Sequence, residues 1–235
     1  MKNQLKIRLL TLIGAGLLSL SLSLHSALAN PDSPGGKKIA LIGAEPGIPS
    51  CSACHGATGA GQLSAGIPRL AGLTAPYILA QLEHFRHGTR ENALMTPFAK
   101  KLNTTQMQAV AEYYASLPVP RPSGANPPVD QQLRKQITMG SSLAENGLSQ
   151  SAMPACAACH GEAGLGVGTF SPDIAGQSAA YIADQLHEWK ANDRRDPLGA
   201  FMRAEALHLS PSDIKAVAAY FASLPGASTA KGATK

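Results

Sequence analysis

The chain has 235 residues, 44% hydrophobic but only 5% aromatic, with 23 glycines, 17 prolines and a formal net charge of +5. This length admits one large domain or two small ones, and the Gly and Pro content points to short helices separated by irregular loop. The N-terminal leader contributes three of the positive charges, leaving +2 divided as +3 over residues 30–125 and −1 over 126–235. No single basic patch remains, which excludes a nucleic-acid footprint. Two domains of this size bury limited cores, so stabilisation by a metal, disulfides or a covalent cofactor is expected.

In chain order, "MKNQLKIR" carries Lys2, Lys6 and Arg8 and no acid, an apolar run follows, and "ALA" ends at Ala29. Residues 1–29 read as a secretory signal peptide. The alternative is a retained anchor, although the run Leu9 to Leu24 is only 16 residues and carries serines. A first domain is expected over 30–118. Its helix around "TAPYILAQLEHF" has Thr74 as N-cap, Pro76 in the first turn, and Ile78, Leu82 and Phe85 on one face. The last helix carries Met107, Val110, Tyr114 and Leu117 and stops at Pro118. The stretch before Cys51, "GAEPGIPS", holds two prolines, so the helix preceding it is expected to be short or broken. Residues 119–129 are Pro-rich and read as a semi-rigid linker. A second domain follows over 130–226, with a longer leading helix. Ser178 caps a helix bearing Ile182, Leu186 and Trp189; "SPSD" from Ser210 opens the last one, with Ile214, Val217, Phe221 and Leu224 on its stripe. The tail 227–235 is expected to be flexible. No run alternates like a strand, so the fold class is all-α.

The two halves are copies. "CSACHG" at Cys51 returns as "CAACHG" at Cys156, 105 residues later. "IPRLAGLTAPYILAQL" (67–82) returns as "SPDIAGQSAAYIADQL" (171–186), and "MQAVAEYYASLP" (107–118) as "IKAVAAYFASLP" (214–225). The order is kept and the offset stays between 104 and 107, the mark of a duplicated domain.

All four cysteines lie in the two Cys-x-x-Cys-His units. Export leaves disulfides open, a redox pair would need a βαβ scaffold that is not visible, and four thiolates could share a zinc ion. None of these explains a histidine directly after the second cysteine in both copies. Covalent haem c does: Cys51 and Cys54, and Cys156 and Cys159, add to the vinyl groups of two haems, and His55 and His160 are carried to the irons.

For the other axial position the first copy offers Met95, Met107, His84 and His87, and the second Met202, His187 and His208. Met95 and Met202 align at an offset of 107, each seven residues before a matched leucine, in what reads as a non-helical stretch before the last helix. Met107 aligns with Ile214 on an apolar stripe and reads as core. Met153, three residues before Cys156, is too close in sequence to reach the opposite haem face. No histidine recurs at an equivalent place, so they read as helix-surface residues, with a bis-histidine iron in one domain as the alternative.

Two CxxCHG units, each followed by Pro-x-x-Ala-Gly, Tyr-x-x-x-Gln-Leu, a late Met and Tyr-Tyr/Phe-Ala-Ser-Leu-Pro, resemble the dihaem cytochromes c4 from about residue 36 to 225. The resemblance implies two tandem class I cytochrome c domains, each a few helices around a haem c, with the haems facing one another. It implies His55 and Met95 on the first iron and His160 and Met202 on the second. It also implies that Pro68 and Pro172 offer their carbonyls to the proximal imidazoles.

The expected function is a periplasmic electron carrier, not an enzyme, working between respiratory partners and toward a terminal oxidase or reductase. Peripheral placement at the periplasmic face of the inner membrane stays open. Two other classes remain: a dihaem peroxidase-like enzyme, and a cytochrome subunit of a dehydrogenase complex.

Overall fold

The computed structural model describes residues 34–45, 47–120 and 130–226. The leader 1–29, linker residues 121–129 and the tail 227–235 lie outside the described residues. Ten α-helices are present among them: α1 Pro34–Leu41, α2 Ser52–His55, α3 Ala75–His87, α4 Met95–Lys101, α5 Thr104–Ser116, α6 Gln131–Asn146, α7 Cys156–His160, α8 Ala179–Lys190, α9 Gly199–His208 and α10 Pro211–Ser223. Among the described residues there is no strand, only isolated bridges.

The helices start where the chain supplies a side-chain acceptor. Thr74 accepts the Tyr77 N–H ahead of α3, Ser178 the Tyr181 N–H ahead of α8, and Asp130 the Leu133 N–H ahead of α6. Ser210 and Asp213 form the expected reciprocal capping box on α10. Asn103 and Gln106 form a second one on α5, which the apolar stripe alone did not disclose. Leu117 and Leu224, each followed by proline, end α5 and α10 in extended backbone.

Two hydrophobic clusters result. The first gathers Ile39, Ile78, Leu82, Phe85, Met107, Val110 and Tyr114; the second gathers Leu143, Met153, Ile182, Leu186, Ile214, Val217 and Phe221. The N-terminal and C-terminal helices of each lobe cross at a glycine. A Cβ on Gly36 would overlap the Ala109 carbonyl of α5, and one on Gly140 the Ala216 carbonyl of α10.

The helix before Cys51 is short, as expected, with eight residues against 16 in α6, but the prolines do not break it. It ends at Leu41, ten residues before Cys51, as α6 ends at Asn146, ten before Cys156. After each helix the chain reverses through equivalent bridges, Ala44 with Ile48 and Leu148 with Met153.

Residues from the two lobes that pack together are unusually polar. Arg69, Arg90, Asp173, Gln177, Gln185, Arg194 and Asp196 are all buried. The Gln81 amide oxygen accepts from Arg90 at 2.8 Å and Arg194 at 3.0 Å, and the Gln185 oxygen from the same two at 2.6 and 2.9 Å. Gln81 and Gln185, like Arg90 and Arg194, are 104 residues apart, so the square repeats the duplication about a local two-fold.

Candidate haem-binding sites

Each Cys-x-x-Cys-His unit is a single helical turn. The His55 N–H bonds to the Cys51 carbonyl at 2.9 Å, and Gly56 at φ 76° ends the turn; Gly161 at φ 77° does the same after α7. Cysteines three apart on a helical turn present their sulfurs on one side, which a ring with two adjacent vinyl groups requires. Cys51 and Cys156 are half-buried and Cys54 and Cys159 exposed, and none of the four is in a disulfide. Burial pushes the Cys51 and Cys156 thiols up to about 11. Among the described residues no three His, Cys, Asp or Glu side chains gather into a metal cage, so the four sulfurs do not converge as a shared zinc site requires.

The histidines are buried, His55 at 7% and His160 at 9% exposure. His55 Nδ1 lies 3.0 Å from the Pro68 carbonyl oxygen and His160 Nδ1 3.1 Å from that of Pro172. A carbonyl only accepts, so Nδ1 carries the proton and Nε2 keeps its lone pair. Burial holds both imidazoles below the usual histidine range and therefore neutral, with the proline carbonyls opposing that shift.

Met95 packs with Cys51 against the first hydrophobic cluster and Met202 with Cys156 against the second; both are half-buried. They do not lie in irregular chain, as the sequence suggested. Met95 opens α4 and Met202 is the fourth residue of α9. The Asn92 side chain accepts the Leu94 and Met95 N–H groups, and Thr96 Oγ1 accepts the Asn92 N–H, which starts α4 without any apolar stripe. Arg86 donates to the Leu102 carbonyl at the end of α4, and Lys190 to the Leu207 and Leu209 carbonyls at the end of α9. Arg86 and Lys190 are themselves 104 residues apart. This repeated cation on the carbonyl end of the methionine helix went unread in the sequence, although the offset that matched Met95 with Met202 would have disclosed it.

Met107 and Met153 are buried in the clusters. His87, His187 and His208 are exposed on helices, and His87 lies 3.3 Å from Glu83. His84 is half-buried and bonded to Thr89 Oγ1 at 3.0 Å.

The donor set fits haem c. It offers two thiols and an oriented imidazole in each lobe, and buried N–H groups without an acceptor, Arg90 Nε and Trp189 Nε1. Two buried guanidiniums, Arg90 and Arg194, stand in that square, with the carboxylate of Asp196 beside it, 3.4 Å from Arg194. A group bearing carboxylates would give these N–H donors acceptors.

The family comparisons agree. Residues 142–225 match the family model "Cytochrome c" and residues 48–113 that of "Cytochrome C oxidase, cbb3-type, subunit III". The chain is 37% identical over 210 residues to the thiosulfate dehydrogenase electron acceptor of Stutzerimonas stutzeri (strain A1501), covering 89% of this chain and 93% of that protein. The thiosulfate dehydrogenase TsdBA from Marichromatium purpuratum superposes with a TM-score of 0.75 at 36% identity, over 85% of this chain and 42% of that one. Reduced recombinant cytochrome c4 from Pseudomonas stutzeri superposes with a TM-score of 0.66 at 31% identity, over 81% of this chain and 97% of that one. With full-length similarity at this identity, the same helical fold and a CxxCH turn in each half, the chain belongs to the cytochrome c4 family of electron-transfer c-type cytochromes.

Proposed function

We propose that this protein is an exported dihaem electron carrier that takes electrons from a thiosulfate-oxidising dehydrogenase and passes them to a terminal oxidase or reductase. In this reading residues 1–29 are removed on export to the periplasm, 30–118 and 130–226 are the two cytochrome c domains, and 119–129 joins them. One observation carries it: both lobes offer a matched set of two thiols, a proline-tied imidazole with Nε2 free, and a methionine on the same hydrophobic cluster.

Haem c, when bound, supplies a one-electron ferric/ferrous couple. Cys51 and Cys54 would tether the first and Cys156 and Cys159 the second. His55 and Met95 would serve one iron, His160 and Met202 the other. Pro68 and Pro172 hold the imidazoles in the tautomer and orientation that ligation needs. A thioether ligand would favour the ferrous state, and a histidine and a methionine held for each iron suit outer-sphere transfer and work against a peroxidase. Leu94 and Phe201, the residues directly before the two methionines, are 65% and 74% exposed, apolar surface of the kind used in brief contacts between proteins.

The similarity to the Stutzerimonas thiosulfate dehydrogenase electron acceptor and to TsdBA supports such a dehydrogenase as the donor. That likeness also favours a second reading, a cytochrome held permanently in a dehydrogenase complex.

The deciding experiment is a spectroscopic redox titration of the purified protein, followed by rapid mixing with thiosulfate dehydrogenase and thiosulfate. Two low-spin haems per chain, both with the ferric thioether–iron band, and reduction within the mixing experiment are expected. A high-spin haem, peroxide turnover or no reduction overturns the reading. Co-elution with the dehydrogenase in gel filtration selects the complex over the free carrier.

A further inference from the structure

The loops carrying Pro68 and Pro172 repeat one another at an offset of 104, and two of the positions at which they differ make contacts between the lobes. Arg69 stands against Asp173, and Leu73 against Gln177. Arg69 and Asp173 pair across the lobes at 3.4 Å, 3% and 5% exposed. The Arg69 guanidinium also donates to the Ala175 carbonyl at 3.0 Å and to that of Ala71.

Gln177, 3% exposed, holds the Arg69 backbone at both ends. Its Oε1 accepts the Arg69 N–H at 2.8 Å and its Nε2 donates to the Arg69 carbonyl at 3.1 Å. The Arg69 N–H belongs to the same peptide group as the Pro68 carbonyl, and that carbonyl takes the His55 Nδ1 proton at 3.0 Å. One planar amide therefore joins an imidazole of the first lobe to a side chain of the second. Leu73, the residue equivalent to Gln177, has no polar atom with which to do the same for His160.

We propose that Gln177 is a positioning residue for His55, acting through the Pro68–Arg69 peptide group, so that the second lobe tunes the first lobe's axial imidazole without Leu73 returning the effect. The proposal rests on His55 being an iron ligand. An amide whose N–H is bonded becomes a better acceptor at its oxygen, because hydrogen bonds in a chain polarise one another. A better acceptor draws on the Nδ1 proton and makes Nε2 more electron-rich. That favours ferric iron, so the clamp lowers the potential of the first haem.

The test is redox titration and paramagnetic NMR of the full-length, haem-loaded protein carrying Gln177→Met or Gln177→Glu, with Arg195→Ala as control. Methionine keeps the volume and removes both hydrogen bonds. It is expected to raise one midpoint potential and leave the other, and to move the hyperfine-shifted His55 ring protons but not those of His160. Glutamate keeps an acceptor, adds negative charge and moves the same potential down. Arg195→Ala removes a lobe contact with the Gly88 carbonyl that does not involve the Pro68–Arg69 amide, and moves neither. A Gln177→Met protein with two low-spin haems but unmoved potentials and His55 signals, or one that shifts both haems equally, overturns the proposal. If that variant does not fold, Gln177→Glu decides by whether one potential falls. Failure of the underlying reading looks different: the unaltered protein would itself lack a haem or a ferric thioether band.

Discussion

At the scale of single residues the chemistry turns on which imidazole nitrogen holds the proton. His55 and His160 meet backbone carbonyls at 3.0 and 3.1 Å, so the tautomer is settled by an acceptor that cannot donate. The histidines and cysteines stand out as candidates from the motif, because covalent attachment and ligation need those residue types at adjacent places. The methionines stand out as candidates only through the repeat, since a lone Met on an apolar stretch is as readily core, as buried Met107 shows. Each methionine acts on its own iron in the proposed reading. Met95→Leu and Met202→Leu are each expected to remove about half of the ferric thioether–iron absorption and to lower one of the two potentials, measured by titration of the variants. The double variant is expected to lose the band entirely.

At the scale of elements the lobes depend on close crossings and capped ends. α6 approaches α10 so closely at Gly140 that a Cβ would overlap the Ala216 carbonyl, which is backbone and cannot swing aside. Gly140→Ala is therefore expected to destabilise the second lobe by about 1–3 kcal/mol despite alanine's better helix propensity. Gly35→Ala on α1, where nothing lies within 4 Å, is expected to be neutral or stabilising by at most about 1 kcal/mol. Thermal denaturation of the two variants checks both. The caps at Thr74, Ser178 and Ser210 could be read ahead of the structure because they act over three residues. α4 could not: it has seven residues, too few to show a period, and depends on a turn built by Asn92 and Thr96.

At the scale of the whole molecule the contacts between the two lobes include buried ion pairs, Arg69 with Asp173 among them. Such pairs contribute little net stability against apolar replacements but are costly to break singly. Asp173→Asn leaves the Arg69 guanidinium buried without its counter-charge and is expected to cost about 3–5 kcal/mol. The loss should appear as easier separation of the lobes, read as faster proteolysis within residues 119–129. The double variant Arg69→Met with Asp173→Leu is expected to recover most of it. Equal cleavage of Asp173→Asn and the unaltered protein would show that this pair does not hold the lobes.

The sequence by itself determined the helical class, the duplication, the two Cys-x-x-Cys-His turns and most helix starts, because each depends on residues a few positions apart or on copies that can be aligned. Tertiary structure decided what passes between the copies. Gln177 reaches the backbone of Arg69 across 108 residues, and Arg69 finds Asp173 across 104. In the sequence these are a polar residue opposite a leucine and a cation opposite an acid, simple departures from the repeat. Only the folded chain sets them against each other, where burial forces each polar group to find a partner.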